Sequence, residues 1–183
     1  MTGVQTCALP ISTFPLIGNY GVPEYCEENG LLKYFESEKI QISGLVISDY
    51  SHKYSHWNAE KSLGKWLYEH QIPAIYGIDT RQLTKILREK GTMPGKFVAE
   101  NVPDKDMSFY NPHTDNLVDK VSISEKKIYG NGRYKVMLID CGVKYNIIRC
   151  LLRRDTTVIR VPWDYDYHKE DFNGLFISNG PGD

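Results

Sequence analysis

Gly180-Pro181-Gly182 follows the apolar run Gly174–Ile177, which reads as a strand leading into a Gly-rich turn. Glycines at the carboxyl end of a strand let a substrate approach backbone N–H groups, which can donate to an oxyanion. Pro181 fixes its own φ and holds such a turn in shape. The same residues also suit a plain connecting turn. Cys141 stands between an apolar strand and a helix, where a helix N-terminus lowers a thiol pKa and favours a nucleophile. Its other reading is a small core residue. Asp140, just before it, suits a catalytic acid or a helix cap. Gly130-Asn131-Gly132 resembles half a dinucleotide fingerprint, but it precedes the next strand, whereas a pyrophosphate cradle must open a helix. His52 and His56 have ligand spacing without a third partner, so they fall short of a metal site. Trp57, Trp66 and Trp163 read as packing residues, and the cations of Lys85–Lys90 as a solvated helix face.

The elements that would position these groups fall into two blocks. In the first, Lys39–Ser48 reads as a strand. Ser55 offers an N-cap to a helix over 57–70, striped by Ala59, Leu63, Trp66 and Leu67 and stopped by Pro73. A short strand over Ala74–Ile78 leads to Asp79, which caps a second helix bearing Leu83, Ile86 and Leu87 and ending at Gly91. Short strands are expected near Lys96–Ala99 and Leu117–Ile123, with a surface loop over Asn101–Asn116. Glu125–Tyr134 reads as a linker. In the second block come a strand at Lys135–Ile139, a helix over 144–154 and strands at Thr157–Val161 and Gly174–Ile177. That succession opens a parallel, helix-covered sheet. One helix is too few to cover both faces, so the block reads as the start of a larger domain.

Composition narrows the possibilities further. The chain has 183 residues, 22 Lys and Arg against 23 Asp and Glu, and 41% hydrophobic residues. This is ordinary globular composition, which excludes collagen, coiled coil and wholesale disorder. The near-zero net charge argues against a phosphate-backbone binder. No apolar run approaches the roughly 20 residues of a membrane-spanning helix. Cys7, Cys26, Cys141 and Cys150 form no C-x-x-C pair. Reduced thiols in the cytosol, or in an organelle matrix, are therefore expected. Small molecules and other proteins remain as partners.

Several segments together carry a family likeness. PLIGNYG (Pro15–Gly21), Ser55-His56-Trp57 and GIDTRQLTKILREKG (Gly77–Gly91) resemble the small-chain domain of glutamine-dependent carbamoyl phosphate synthetase. DCGVKYNIIRCLLRR (Asp140–Arg154), VPWDYD (Val161–Asp166) and LFISNGPGD (Leu175–Asp183) resemble the start of its class I glutamine amidotransferase domain. The wording of the later motifs is nearest to the fused animal pyrimidine-pathway enzyme, while GTMPGK (Gly91–Lys96) is similar to mitochondrial urea-cycle members. The resemblance implies an α/β protein. A mixed α/β small-chain domain over 13–124 and a linker over 125–134 precede the incomplete start, at 135–183, of a flavodoxin-like amidotransferase sheet. Met1–Ser12 has no counterpart and reads as a spurious leader. The family's glutamine-contacting serine would fall upstream of Phe14.

In this family a cysteine thiolate attacks the glutamine side-chain amide, assisted by a His that a Glu orients, and releases ammonia. The ammonia passes to a synthetase part, which uses ATP, a divalent metal ion and bicarbonate to form carbamoyl phosphate. The resemblance implies that Gly180 and Gly182 contact glutamine. It also implies that the nucleophile, base and acid lie beyond Asp183, so that this chain alone hydrolyses no glutamine and holds no cofactor. Cys141 belongs to a different motif. The implied partner is a synthetase large subunit or fused synthetase domain. The alternative is a docking and coupling domain of an ammonia-dependent synthetase, which hydrolyses nothing itself.

Overall fold

The computed structural model describes residues 9–98, 109, 111 and 114–181. In chain order its strands are β1 (Ile11–Ser12), β2 (Val22–Pro23), β3 (Glu27–Glu28), β4 (Leu31–Leu32), β5 (Leu45–Ile47), β6 (Ala59–Lys61) and β7 (Ala74–Ile75). Then follow β8 (Lys127–Tyr129), β9 (Tyr134–Asp140), β10 (Thr156–Pro162) and β11 (Gly174–Ile177). The helices are α1 (Leu63–Glu69), α2 (Thr80–Lys90), α3 (Leu117–Val121) and α4 (Tyr145–Leu152). These elements form two compact units that do not follow chain order. One takes the residues up to Glu24 together with Ile42–Asp115; the other joins Tyr25–Gln41 to Asn116–Asp183.

The first unit is built on a parallel sheet of order β1-β5-β7, with a separate antiparallel pair, β2 and β6. Its buried residues include Val22, Val46, Ile47, Leu67 and Thr80. The Asp79 side chain accepts from the Gln82 backbone N–H at 2.9 Å and Gly91 closes α2, as the capping pattern anticipates. The expected helix over 57–70 is shorter than its apolar stripe. Ala59–Lys61 pairs with β2, and Ser62, not Ser55, caps α1 through the Lys65 N–H at 3.2 Å. A stripe of four apolar residues cannot tell a strand entering a helix from a longer helix. The strand expected over Lys39–Ser48 shrinks to Leu45–Ile47, because Gly44 interrupts it and the units divide between Gln41 and Ile42. Residues 96–98 form no strand, and most of the loop expected at Asn101–Asn116 lies outside the described residues. Ile11 and Ser12 hydrogen-bond along β5, so part of the stretch read as a leader belongs to this sheet. Trp57 is 83% exposed and packs no core.

The second unit carries a four-stranded sheet of order β11-β9-β10-β8, parallel except for the edge strand β8. Strand β9 is buried through its last four residues, as expected of a parallel strand covered on both faces. One face packs Leu138, Val158 and Phe176 against Tyr145, Ile148 and Leu31. The other gathers Met137, Ile139, Ile159 and Val161 beneath Tyr165, Tyr167 and Phe172. Leu31 comes from the hairpin β3–β4, whose Asn29-Gly30 turn has φ of 55 and 75°. An Asn-Gly turn is a strong hairpin signal that the sequence displays openly.

Two expectations change here. Leu117–Val121 is a helix rather than a strand, with the Asn116 side chain accepting from the Asp119 N–H at 3.3 Å. Glu125–Tyr134, expected as a linker, supplies β8 with Tyr129 buried. Its charges are paired at the sheet edge: Lys126, just before β8, with Glu170 at 2.6 Å and Lys127, on the strand, with Glu38 at 2.8 Å. Gly132 then passes against the start of β10. A Cβ there would lie 2.2 Å from the Asp155 carbonyl carbon and 2.3 Å from the Thr156 nitrogen. Both are backbone atoms next to a paired strand, so neither can yield cheaply. Gly132→Ala is expected to destabilise the chain by about 3 kcal/mol in urea denaturation. A loss under about 0.5 kcal/mol, the range of innocuous surface changes, would show that the backbone moves aside freely.

Candidate functional site

The sheet order places β9 between β10 and β11: the chain runs from β9 out to β10 and then returns past β9 to β11, so the strand order reverses there. Such a switch point opens a crevice beyond the carboxyl ends of the strands, where ligands of open α/β sheets bind. Asp140–Gly142 leaves β9 at that point, and Ser178–Pro181 leaves β11 beside it.

Hydrogen bonds lock the two turns together. The Ser178 N–H donates to the Ile139 carbonyl at 3.1 Å, and the Cys141 N–H donates to Ser178 Oγ at 2.9 Å. Ser178 Oγ donates in turn to the Asn179 carbonyl at 3.1 Å. Asn179 and Gly180 lie exposed above this buried serine. A Cβ on Gly180 would come within 2.9 Å of the Cys141 carbonyl oxygen and 3.5 Å of Val118 Cγ2. Gly180 is therefore required by close approach to the neighbouring turn. Gly182, its expected companion, lies outside the described residues.

Asp140 is neither free for acid catalysis nor the cap of α4. Its Oδ1 accepts from the N–H groups of Gly142 and Val143, both at 2.9 Å, closing the turn that carries Cys141. Its Oδ2 accepts from the Ile123 N–H at 2.9 Å and from Arg160 Nε and Nη2 at 3.0 and 2.7 Å. Both side chains are buried, Asp140 completely. Burial opposes the Arg160 charge, yet Asp140 and the Tyr129 hydroxyl hold the guanidinium above its ordinary pKa. Burial, then the Glu38 carboxylate, also pushes the Tyr145 phenol up, so it stays neutral.

Cys141 sits in the opposite environment from an activated thiol. Burial first, and the Asp140 charge second, push its pKa up. A reactive cysteine needs the reverse. Cys141 thus forms a wall of the crevice through its backbone. The other spaced candidates do not join this site. In the first unit, the His52 ring meets Tyr50 and Tyr76, whereas His56 meets Tyr20 and Trp57. Among the described residues no group of three or more potential ligands could hold a metal ion.

Sequence reading missed Ser178, Arg160 and Ile123 as parts of this arrangement. Arg160 did leave a trace: it is a cation inside the apolar run Val158–Val161, and a buried charge demands a partner. Nothing in the spacing identifies that partner as Asp140, twenty residues away.

Comparison with known proteins bears directly on this site. Residues 8–97 match the carbamoyl-phosphate synthase small chain, CPSase domain, and residues 137–183 match glutamine amidotransferase class-I. The chain belongs to the carbamoyl-phosphate synthase family and joins its small-chain region to a class I amidotransferase region. The small-chain match begins before Thr13, in keeping with the place of Ile11 and Ser12 in β1. The multifunctional protein CAD of Squalus acanthias is 51% identical over 175 residues, covering 94% of this chain and 8% of that protein. Human mitochondrial carbamoyl-phosphate synthase [ammonia] is 49% identical over 171 residues, covering 92% of this chain and 11% of that protein. The multifunctional protein ura1 of Schizosaccharomyces pombe is 43% identical over 205 aligned positions, 94% of this chain and 9% of its own length. The chain therefore spans about a tenth of the length of these curated relatives.

Proposed function

We propose that this chain is part of the glutamine-hydrolysing arm of a carbamoyl phosphate synthetase, and that Gly180 and Gly182 border the glutamine site. The observation that carries the reading is the Ser178–Pro181 turn standing against Cys141–Gly142 at the switch point of an amidotransferase-type sheet. The glycine backbone admits the glutamine amide, and N–H groups near it stabilise the tetrahedral oxyanion. The raised pKa of Cys141 supports assigning the attacking thiolate, with its His and Glu, to another part of the full-length protein. Ammonia released there reaches a synthetase large subunit or fused domain, where ATP and a divalent metal ion serve carbamoyl phosphate synthesis. The resulting carbamoyl phosphate feeds pyrimidine, arginine or urea metabolism. The compartment follows the pathway: cytoplasm for a CAD-like enzyme, mitochondrial matrix for the other.

A second reading has its own support, since relatives nearly as similar carry "[ammonia]" in their names. In it the arm docks and couples without hydrolysing glutamine. Glutamine labelled with 15N at its side-chain amide separates the two in the complete protein. The label is expected in carbamoyl phosphate. Its absence, with labelled ammonium incorporated instead, would establish the second reading.

A further inference from the structure

Helix α4 begins without a cap of its own. Lys144 occupies the N-cap position and makes no side-chain capping bond. The first N–H groups of a helix have no partner within it and must find one elsewhere. Here a single residue from the segment Tyr25–Gln41 supplies it. The Tyr145 N–H donates to the Glu36 backbone carbonyl at 3.1 Å, and the Asn146 N–H to Glu36 Oε2 at 2.7 Å. A carboxylate is also the charge that a helix N-terminus favours. Arg149, one turn along, secures the arrangement. Its Nη1 lies 3.3 Å from Glu36 Oε1, and its Nη2 donates to the carbonyls of Phe35, at 2.8 Å, and Leu32. Leu31, buried among Leu138, Val158 and Ile148, anchors the same segment in the core.

We propose that Glu36 is a positioning residue for the amidotransferase crevice. Asp140 fixes one end of the turn Cys141–Lys144 and Glu36 fixes the other, so the wall facing Gly180 is held from both sides. Without the Glu36 carboxylate the Asn146 N–H and the Arg149 guanidinium lose a partner while the main-chain bond to Tyr145 remains, and the wall gains freedom at its downstream end. Tyr25–Gln41 lies inside the stretch matched to the small-chain domain, yet it builds part of the amidotransferase unit. The small-chain sequence thereby shapes the crevice through an element lent to its neighbour. The functional half of this proposal rests on reading the Gly180 turn as a glutamine site.

Amide hydrogen exchange on the 183-residue chain tests the mechanical half without reference to any substrate. Glu36→Ala is expected to speed exchange at Cys141–Asn146 by about tenfold, a typical loss on removing a cap. Met137–Ile139 in β9 should keep their rates. Glu36→Gln should restore most of the protection, because its amide oxygen still accepts from Asn146. Unchanged exchange, or equal acceleration throughout both segments, overturns the proposal. In the complete protein, Glu36→Ala should raise the KM for glutamine about tenfold while the ammonia-dependent kcat holds. An unchanged KM in a variant whose exchange has quickened overturns the functional half. If the unmodified protein binds no glutamine, the reading of the crevice fails, and the exchange result still decides the role of Glu36.

Discussion

Asp140→Ala is expected to lower the stability of the chain by about 3–5 kcal/mol, the usual cost of removing one partner from a buried ion pair. Three backbone donors and a guanidinium converge on this carboxylate. Alanine leaves the buried Arg160 guanidinium, which otherwise faces the Tyr129 hydroxyl and the Tyr145 ring, without the carboxylate that binds it. The turn carrying Cys141 loses both of its closing bonds at the same time. Such a loss is a large fraction of the 5–15 kcal/mol that holds a typical domain folded. Adding Arg160→Met to Asp140→Ala should recover part of it, because the orphaned charge disappears while the unpaired N–H groups remain. Urea denaturation of the two single variants and the double completes the cycle. A single-variant loss near 1 kcal/mol, with no recovery in the double, would mean that water reaches the pair and that Asp140 does not organise the turn.

The largest functional effect is expected at Gly180. In the complete protein, Gly180→Val should reduce glutamine-dependent activity by roughly a hundredfold, the penalty that misplacement by about 1 Å can impose. Even the Cβ of alanine would meet the Cys141 carbonyl oxygen at 2.9 Å, so the turn must shift away from its neighbour. The branched side chain also fills the space through which a substrate amide would approach. Synthesis from added ammonium should remain within about twofold, since in the proposed function ammonia enters after the hydrolytic step assigned to this turn. Parallel loss of both activities would assign Gly180 to folding instead. Loss of neither would remove the turn from the glutamine site altogether.

These two expectations differ in how visible they are in the sequence. Gly180 stands out in the sequence as part of a Gly-Pro-Gly turn after an apolar strand, although that pattern also suits a plain connecting turn. The ion pair beneath it does not stand out. Asp140 read as a catalytic acid or a helix cap, and it is the hub that ties β9, β10 and the Ile123 backbone together. Cys141 shows the same limit. Its position before a helix suggested a lowered pKa, but burial and the Asp140 charge raise it.

Periodicity determined what was local. The strands β9, β10 and β11, the helix α4 and the Asp79 cap of α2 follow from apolar runs, 3.6-residue spacing and cap chemistry, which act within a few residues. The family motifs are local as well, so their order could be read directly from the chain. Tertiary structure decided the rest. It alone shows that Lys127–Tyr129 joins the sheet, that Leu117–Val121 is helical, and that Tyr25–Gln41 leaves its sequence neighbours for the second unit. The reason is physical. A capless helix, a buried arginine and an uncovered hydrophobic face each require a partner, but that requirement states only the chemistry of the partner. Which distant residue meets it depends on how the chain closes in space.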